Sequence, residues 1–193
     1  MGFIEQLFPT PIYVDIVKNL EEVQNEIDGV MKNLQFVEPP LNWGKTHLVS
    51  PSDNFFETNN MTVTQSTILD HVKQYCNYLE FKIPNKYKIE SWMTLFNKDD
   101  YAHTHNHGHA DISGVYYYKT TGDDGDIFFE SPVEGSSSSS VYAKYAERWK
   151  HTPKVGKIIL FPGWLKHGVI RNTKESKRHS ISFNVFFDRI NND

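Results

Sequence analysis

The sequence holds one cysteine, Cys76, which excludes a disulfide within the chain and a cysteine-rich zinc cluster. Cys76 falls in a helical apolar pattern and reads as a core residue. No apolar run is long enough to span a bilayer. The opening MGFIEQLFPTPIYV lacks the positive n-region of a signal peptide, and Gln6 stands where a myristoylation signal needs Ser or Thr. Asn60-Met61-Thr62 fits a glycosylation acceptor, but nothing else points to secretion, so a cytoplasmic location is the expectation. There is also no surplus of positive charge. Lys and Arg number 20 against 24 Asp and Glu, a net of -4, which disfavours nucleic acid as a partner. Lys144, Arg148, Lys150, Lys154 and Lys157 lie close together in sequence and read as a solvated face. Nothing in these features speaks against an oligomer.

What is present is the balance of a folded globular chain, with 38% hydrophobic and 23% charged residues over a length that suits one domain. Aromatics reach 14%, a level that suits sheets packed on each other or around a pocket. Ile12, Val14 and Ile16 can share one face of a first strand. Leu20, Val23, Ile27, Val30, Met31 and Leu34 then recur at helical spacing, with Asn19 and Glu22 as a capping box. Residues 36–60 are rich in Pro, Asn and Ser and read as irregular, with short strand pieces, over a pocket mouth. A second helix fits 66–81, with Ile68, Val72, Tyr75, Cys76 and Leu79 as its stripe.

Beyond residue 84 the period shortens. Strands are expected at 87–97, 102–107, 112–119, 126–130, 148–153, 157–161, 167–171 and 179–187, with Gly or Pro at several joints. Ser136–Ser140 is too short for a domain linker and reads as a loop. Two helices followed by about eight short strands is not a βαβ pattern. It predicts a mainly antiparallel sandwich or squashed barrel backed by helices, with residues 1–85 as support and 86–193 as the core.

Three segments carry chemistry. Residues 101–111 hold His103, His105, His107 and His109 at alternate positions, followed by Asp111. Alternate side chains of a strand point the same way, so two imidazoles two apart can converge on one metal ion, and a carboxylate can replace one of them. In Ile158–Val169 an apolar strand meets Pro162-Gly163, and His167 emerges just beyond, as a ligand or as a satisfied core residue. In Arg178–Val185, Arg178, Ser180 and Ser182 share one strand face while His179, Ile181, Phe183 and Val185 share the other. An inward guanidinium needs an anion, supplied by a ligand carboxylate or by an internal salt bridge. Imidazoles from two strands suit Fe(II) with open coordination positions.

These residues bring a family into view. Leu7–Tyr13, His105-Asn106-His107, Asp111–Tyr118, Gly125–Pro132, Leu160–His167 and Arg178–Asn184, in that order and spacing, resemble the Fe(II)- and 2-oxoglutarate-dependent oxygenases. Within that superfamily the chain is most similar to a small branch common in phages and marine bacteria. The resemblance implies a double-stranded β-helix, or jelly roll, related to the cupins. It implies a metal triad of His105, His107 and His167, where the usual second ligand is Asp or Glu. It also implies Arg178 and Ser180 as the 2-oxoglutarate site, with Tyr117 reaching the same cosubstrate. A rival register, His109-Ala110-Asp111, would restore the usual triad, but it leaves no turn before the strand that opens at Ile112; His103 with His105 is a third register. The implied activity is a dioxygenase that uses Fe(II), 2-oxoglutarate and O2, hydroxylates an unactivated C–H bond, and releases succinate and CO2. A small molecule or a peptide or protein side chain would be its substrate. Trp92, Trp164 and Phe129 could wall the pocket or serve as core. Two other classes remain: a cupin-like metalloenzyme that needs no 2-oxoglutarate, and a non-enzymatic β-sandwich binding module.

Overall fold

A computed structural model of the chain describes residues 2–3, 9–43, 46–133, 138, 140–143 and 147–188. Leu7, Phe8, Lys144 and most of the Ser136–Ser140 run lie outside the described residues. Two antiparallel sheets face each other. The larger takes the order β1 (Tyr13–Ile16), β8 (Lys157–Pro162), β5 (Ile112–Lys119), β10 (Arg178–Phe187), β3 (Tyr87–Phe96) and β2 (Leu48–Val49). The smaller takes the order β4 (Ala102–His105), β9 (His167–Val169), β6 (Ile127–Phe129) and β7 (Trp149–His151). The strand pairs are all antiparallel, and the architecture is a double-stranded β-helix.

The larger sheet is covered on both faces, which explains its nearly unbroken burial along β5 and β10. One face carries Tyr116 and Tyr118 of β5, Ile158 and Leu160 of β8, and Ile181, Phe183 and Val185 of β10. These pack under α1 (Leu20–Met31) and α3 (Thr62–Tyr78) through Val23, Ile27, Ile68, Val72, Tyr75 and Cys76. Each such side chain, fully buried, contributes roughly 1.5–3 kcal/mol. The opposite face looks toward the smaller sheet. There Val115, Tyr117, Ile159 and Phe161 meet Ile127, Phe129 and Leu165.

Several expectations are corrected by tertiary contacts. The inward face of β1 is not Ile12-Val14-Ile16, since Val14 is exposed. Tyr13 turns instead to α3, where its hydroxyl meets His71 Nδ1 and donates to Asp15. Asn19 precedes α1 without forming a cap, because its amide donates to Thr67 of α3. The first turn of α3 is capped from outside by Glu26 of α1, whose carboxylate accepts from Val63 N, Thr64 N and the Thr64 hydroxyl. That carboxylate lets α3 begin at Thr62, four residues before the start expected from its stripe. Residues 36–60 hold a short strand, β2, as expected, and in addition the unexpected α2 (Phe55–Thr58), which buries Phe55 and Phe56. Strands β1 and β2, from the first 85 residues, complete the larger sheet at both edges.

His179, on the helix-side face of β10, sits buried between the rings of Phe36 and Tyr118. Burial first, then Lys119 and Lys177, push its pKa down to about 4. The neutral ring is therefore the folded form, while an unfolded histidine titrates near ~6.5. Its contribution to stability is full above that value and is lost as pH falls toward 4. The metal-free protein should lose urea resistance over this window. H179Q should lose less of it, as read from unfolding midpoints at pH 7 and pH 5.

Candidate metal centre and anion pocket

A cavity of about 580 Å³ opens between the sheets. Its wall takes His105 and His107 from β4 and the turn after it, His167 from β9, Tyr117 from β5, and Arg178, Ser180 and Ser182 from β10. The volume is in the range of small-ligand sites.

The histidines converge because of strand register. His105 and His167 are direct partners across the β4–β9 pair, and their ring centroids lie 4.4 Å apart. His107 follows β4 and is held by its own N–H, which donates to Gly163 O. Its ring lies 5.2 Å from that of His105 and 5.0 Å from that of His167. One ring nitrogen from each lies within 4.8 Å of the others. His105 is at the mouth, His107 is half-buried and His167 is buried against Phe161 and Phe129.

Donor chemistry fits a divalent cation. His105 Nδ1 donates to His103 O at 2.7 Å, and His167 Nδ1 donates to Leu165 O at 2.9 Å. A carbonyl only accepts, so both rings carry the proton on Nδ1 and leave the Nε2 lone pair free. Burial, followed by the neighbouring His105, pushes the pKa of His107 to about 4. Burial, followed by His105 and His107, pushes that of His167 to about 3. Neutral imidazoles are the form a metal binds.

The rival register is not assembled. His109 is exposed, and the Asp111 carboxylate accepts from Phe187 N at 2.7 Å, away from the three rings. Gly108 takes φ +56° and forms the turn that the His105-x-His107 register requires before β5. His103 lines the cavity, but its ring faces the Tyr101 hydroxyl.

Arg178 forms the other end of the site. It is 2% exposed, and no carboxylate lies within ion-pairing distance among the described residues. One terminal nitrogen donates to Gly125 O at 2.5 Å, and the buried Nε has no partner. The guanidinium lies 4.1 Å from the Phe96 ring centre and 5.9 Å from that of Tyr117. Burial lowers its pKa from the usual arginine value, and Tyr117, Asp124 and Asp126 act against that shift. An arginine so placed keeps its charge and is short of an anion, which fits a ligand carboxylate. Gly125 is itself constrained, with φ +107° and a Cβ position 2.5 Å from Ile170 O. Asp124, fully buried, fixes the preceding turn by accepting from Thr121 N and the Thr120 hydroxyl.

Other cavity residues carried no sequence signal. Thr94 of β3 faces Ser180, with their hydroxyl oxygens 2.7 Å apart. His47 stacks on Phe96 at 4.6 Å, and its pKa is pushed to about 4 by burial and then by Arg178. Trp43 and Trp92 meet at 5.3 Å beside the mouth, with Trp92 6.0 Å from His107. Trp92 thus walls the pocket, Phe129 is core behind His167, and Trp164 is exposed. Arg148 of the basic segment is paired with Glu130 and stacked on Phe128.

Comparison with known proteins agrees with this picture. Residues 90–184, just under half of the chain, match a family model described as "Putative 2OG-Fe(II) oxygenase". No curated protein matches the chain in sequence. Among solved structures, HygX from Streptomyces hygroscopicus, crystallised with nickel and 2-oxoglutarate, shares the fold with a TM-score of 0.65 and 13% identity. That likeness covers 94% of this chain and 84% of HygX. The non-heme alpha ketoglutarate dependent epimerase SnoN from nogalamycin biosynthesis gives 0.65 and 12%, covering 92% and 78%. A prolyl-4-hydroxylase of Pseudomonas putida gives 0.60 and 9%, covering 93% and 94%. At such identities the structural likeness carries the fold alone. The matched region contains the three converging histidines and Arg178, so the similarity to that family model falls on the candidate site.

H105A and H167A should each weaken Co(II) binding by more than the roughly 10–100-fold that loss of an outer-shell partner costs. D111A should leave it unchanged. Anaerobic competition titrations measure both.

Proposed function

We propose that the protein is an Fe(II)- and 2-oxoglutarate-dependent dioxygenase that hydroxylates an unactivated C–H bond. The observation that carries this reading is Arg178, a buried guanidinium without a carboxylate partner among the described residues, in the same cavity as three convergent histidines. His105, His107 and His167 would hold Fe(II). Arg178, with Ser180 and Tyr117, would receive the far carboxylate of 2-oxoglutarate, leaving its 2-oxo acid group for the metal.

When bound, the iron and cosubstrate supply the oxidising chemistry. Together they would convert O2, 2-oxoglutarate and substrate into succinate, CO2 and hydroxylated substrate. The chain supplies position and a dry cavity. Arg178 orients the cosubstrate from one end and the three rings from the other. Phe161 and Phe129 keep water from the back of His167, while Trp92 and Trp43 stand where substrate enters. The mouth takes a small molecule or a side chain of a peptide or protein. Among the described residues no helix is long and apolar enough to cross a membrane.

A cupin-like metalloenzyme would keep the histidines and have no use for the Arg178 pocket. A binding module would release no succinate. Iron-dependent release of succinate from 2-oxoglutarate under oxygen therefore tests the class. R178K keeps the charge and loses the planar fork. It should weaken 2-oxoglutarate binding about 10–100-fold, the loss of a charge-assisted contact of roughly 1.5–3 kcal/mol. Metal affinity should stay at the wild-type value. Unchanged 2-oxoglutarate affinity in R178K, measured by anaerobic titration, would falsify the assignment of the anion site.

A further inference from the structure

The inner face of β10 continues past the anion pocket. Arg178, Ser180, Ser182 and Asn184 alternate along it, so the strand that carries the arginine also carries an amide toward the metal end. Asn184 is 6% exposed, and its Nδ2 lies 3.4 Å from His107 Nδ1. Its other amide atom, Oδ1, accepts from the Ser113 hydroxyl at 2.8 Å. Ser113 is fully buried and is the direct cross-strand partner of Asn184 in the β5–β10 ladder. The result is a buried chain of Ser113, Asn184 and His107.

This chain bears on the one ligand whose tautomer the backbone does not set. His105 and His167 have their Nδ1 protons fixed by the carbonyls of His103 and Leu165. Among the described residues His107 has only the Asn184 amide at its Nδ1. A carboxylate at position 107 would have no tautomer to fix, but an imidazole does. If the amide NH2 faces His107, Nδ1 must offer its lone pair, and the ring proton then sits on Nε2. That proton would point at the space shared with the other two rings. A half-turn of the amide exchanges its oxygen and nitrogen without moving another residue. Oδ1 then accepts the Nδ1 proton, the NH2 donates to the Ser113 oxygen, and Nε2 is left free.

We propose that Asn184, steadied by Ser113, is a positioning residue that holds His107 as the Nδ1–H tautomer and so makes it a metal ligand. The proposal rests on the reading that His105, His107 and His167 hold a metal. It adds a group outside the ligand set that decides whether the third imidazole can serve.

The test uses the whole chain loaded with Zn(II) or Co(II), without cosubstrate or turnover. In the 15N-histidine-labelled Zn(II) protein, long-range 1H–15N spectra should show three rings protonated on Nδ1 with Nε2 on the metal. N184L removes the acceptor while keeping the bulk. It should weaken Co(II) binding about 10–100-fold, the usual cost of losing an outer-shell partner. N184D restores an acceptor and should recover most of that affinity, which a merely structural role would not do. S113A should cause a smaller loss in the same direction. Wild-type Co(II) affinity in N184L, equal loss in N184D and N184L, or an unprotonated His107 Nδ1 in the Zn(II) protein would each overturn the proposal. Where N184L does not fold, the spectrum of the wild-type Zn(II) protein decides alone. H167A separates the two layers. If it keeps full Co(II) affinity, the metal site itself is wrong and the proposal falls with it; if it loses affinity while N184L does not, only the role of Asn184 fails.

Discussion

A guanidinium sealed from water without a counter-ion is among the more expensive things a fold can contain, and the cavity is organised around that cost at Arg178. Removing a charge from water costs several kcal/mol even after relaxation, and the chain meets only part of its needs. Gly125 O takes one N–H bond, the Phe96 face takes the flat side, and Nε is left without a partner. Asp124 and Asp126 are near enough to act on its charge, yet neither pairs with it. Asp124 is used to hold the turn that presents Gly125. The site therefore keeps an unmet demand for an anion, and the three converging imidazoles stand in the same cavity.

The double coverage of the larger sheet makes this arrangement stable. Helices α1 and α3 bury the apolar face of β5, β8 and β10, so the opposite face is free to carry Arg178, Ser180, Ser182, Asn184 and Tyr117. From Arg178 to Val185, strand β10 thus turns its odd-numbered residues to the core and its even-numbered residues to the polar inner face. The smaller sheet adds the metal end through one cross-strand pair, His105 with His167, while the turn at Gly108 places His107. Three of the four groups that define the site, then, are set by ladder register rather than by loops. This is the kind of rigid support that metal and anion sites need.

Period-two alternation made much of this legible before any coordinates. It separated the two faces of β10, set His103, His105, His107 and His109 at alternate positions from which the family resemblance selected His105 and His107, and marked the change from helices to strands near residue 84. The Pro162-Gly163 turn pointed to His167. What stayed hidden depended on contacts distant in sequence. Asn184 looks like one more polar residue until β5 brings Ser113 beside it and His107 reaches its other end. His47, Thr94 and Trp43 enter the cavity from strands and turns whose local pattern carries no chemistry. The start of α3 depends on Glu26 of another helix, and Asn19 prefers Thr67 to its own helix end. The outward turn of Val14 follows from Tyr13 having a partner in His71. Local propensity could not reveal these, because each is decided by a tertiary partner.

Under the proposed function, one cavity would bind a divalent metal at three histidines and a 2-oxo acid that bridges to Arg178. The most direct measurement is anaerobic titration of 2-oxoglutarate into the Fe(II)-loaded protein, followed by the visible charge-transfer absorption of a chelated 2-oxo acid. The band should saturate at one equivalent, be absent from H167A, and need far more 2-oxoglutarate to develop in R178K. A protein that binds Fe(II) tightly but develops no such band at saturating 2-oxoglutarate would contradict the proposed function.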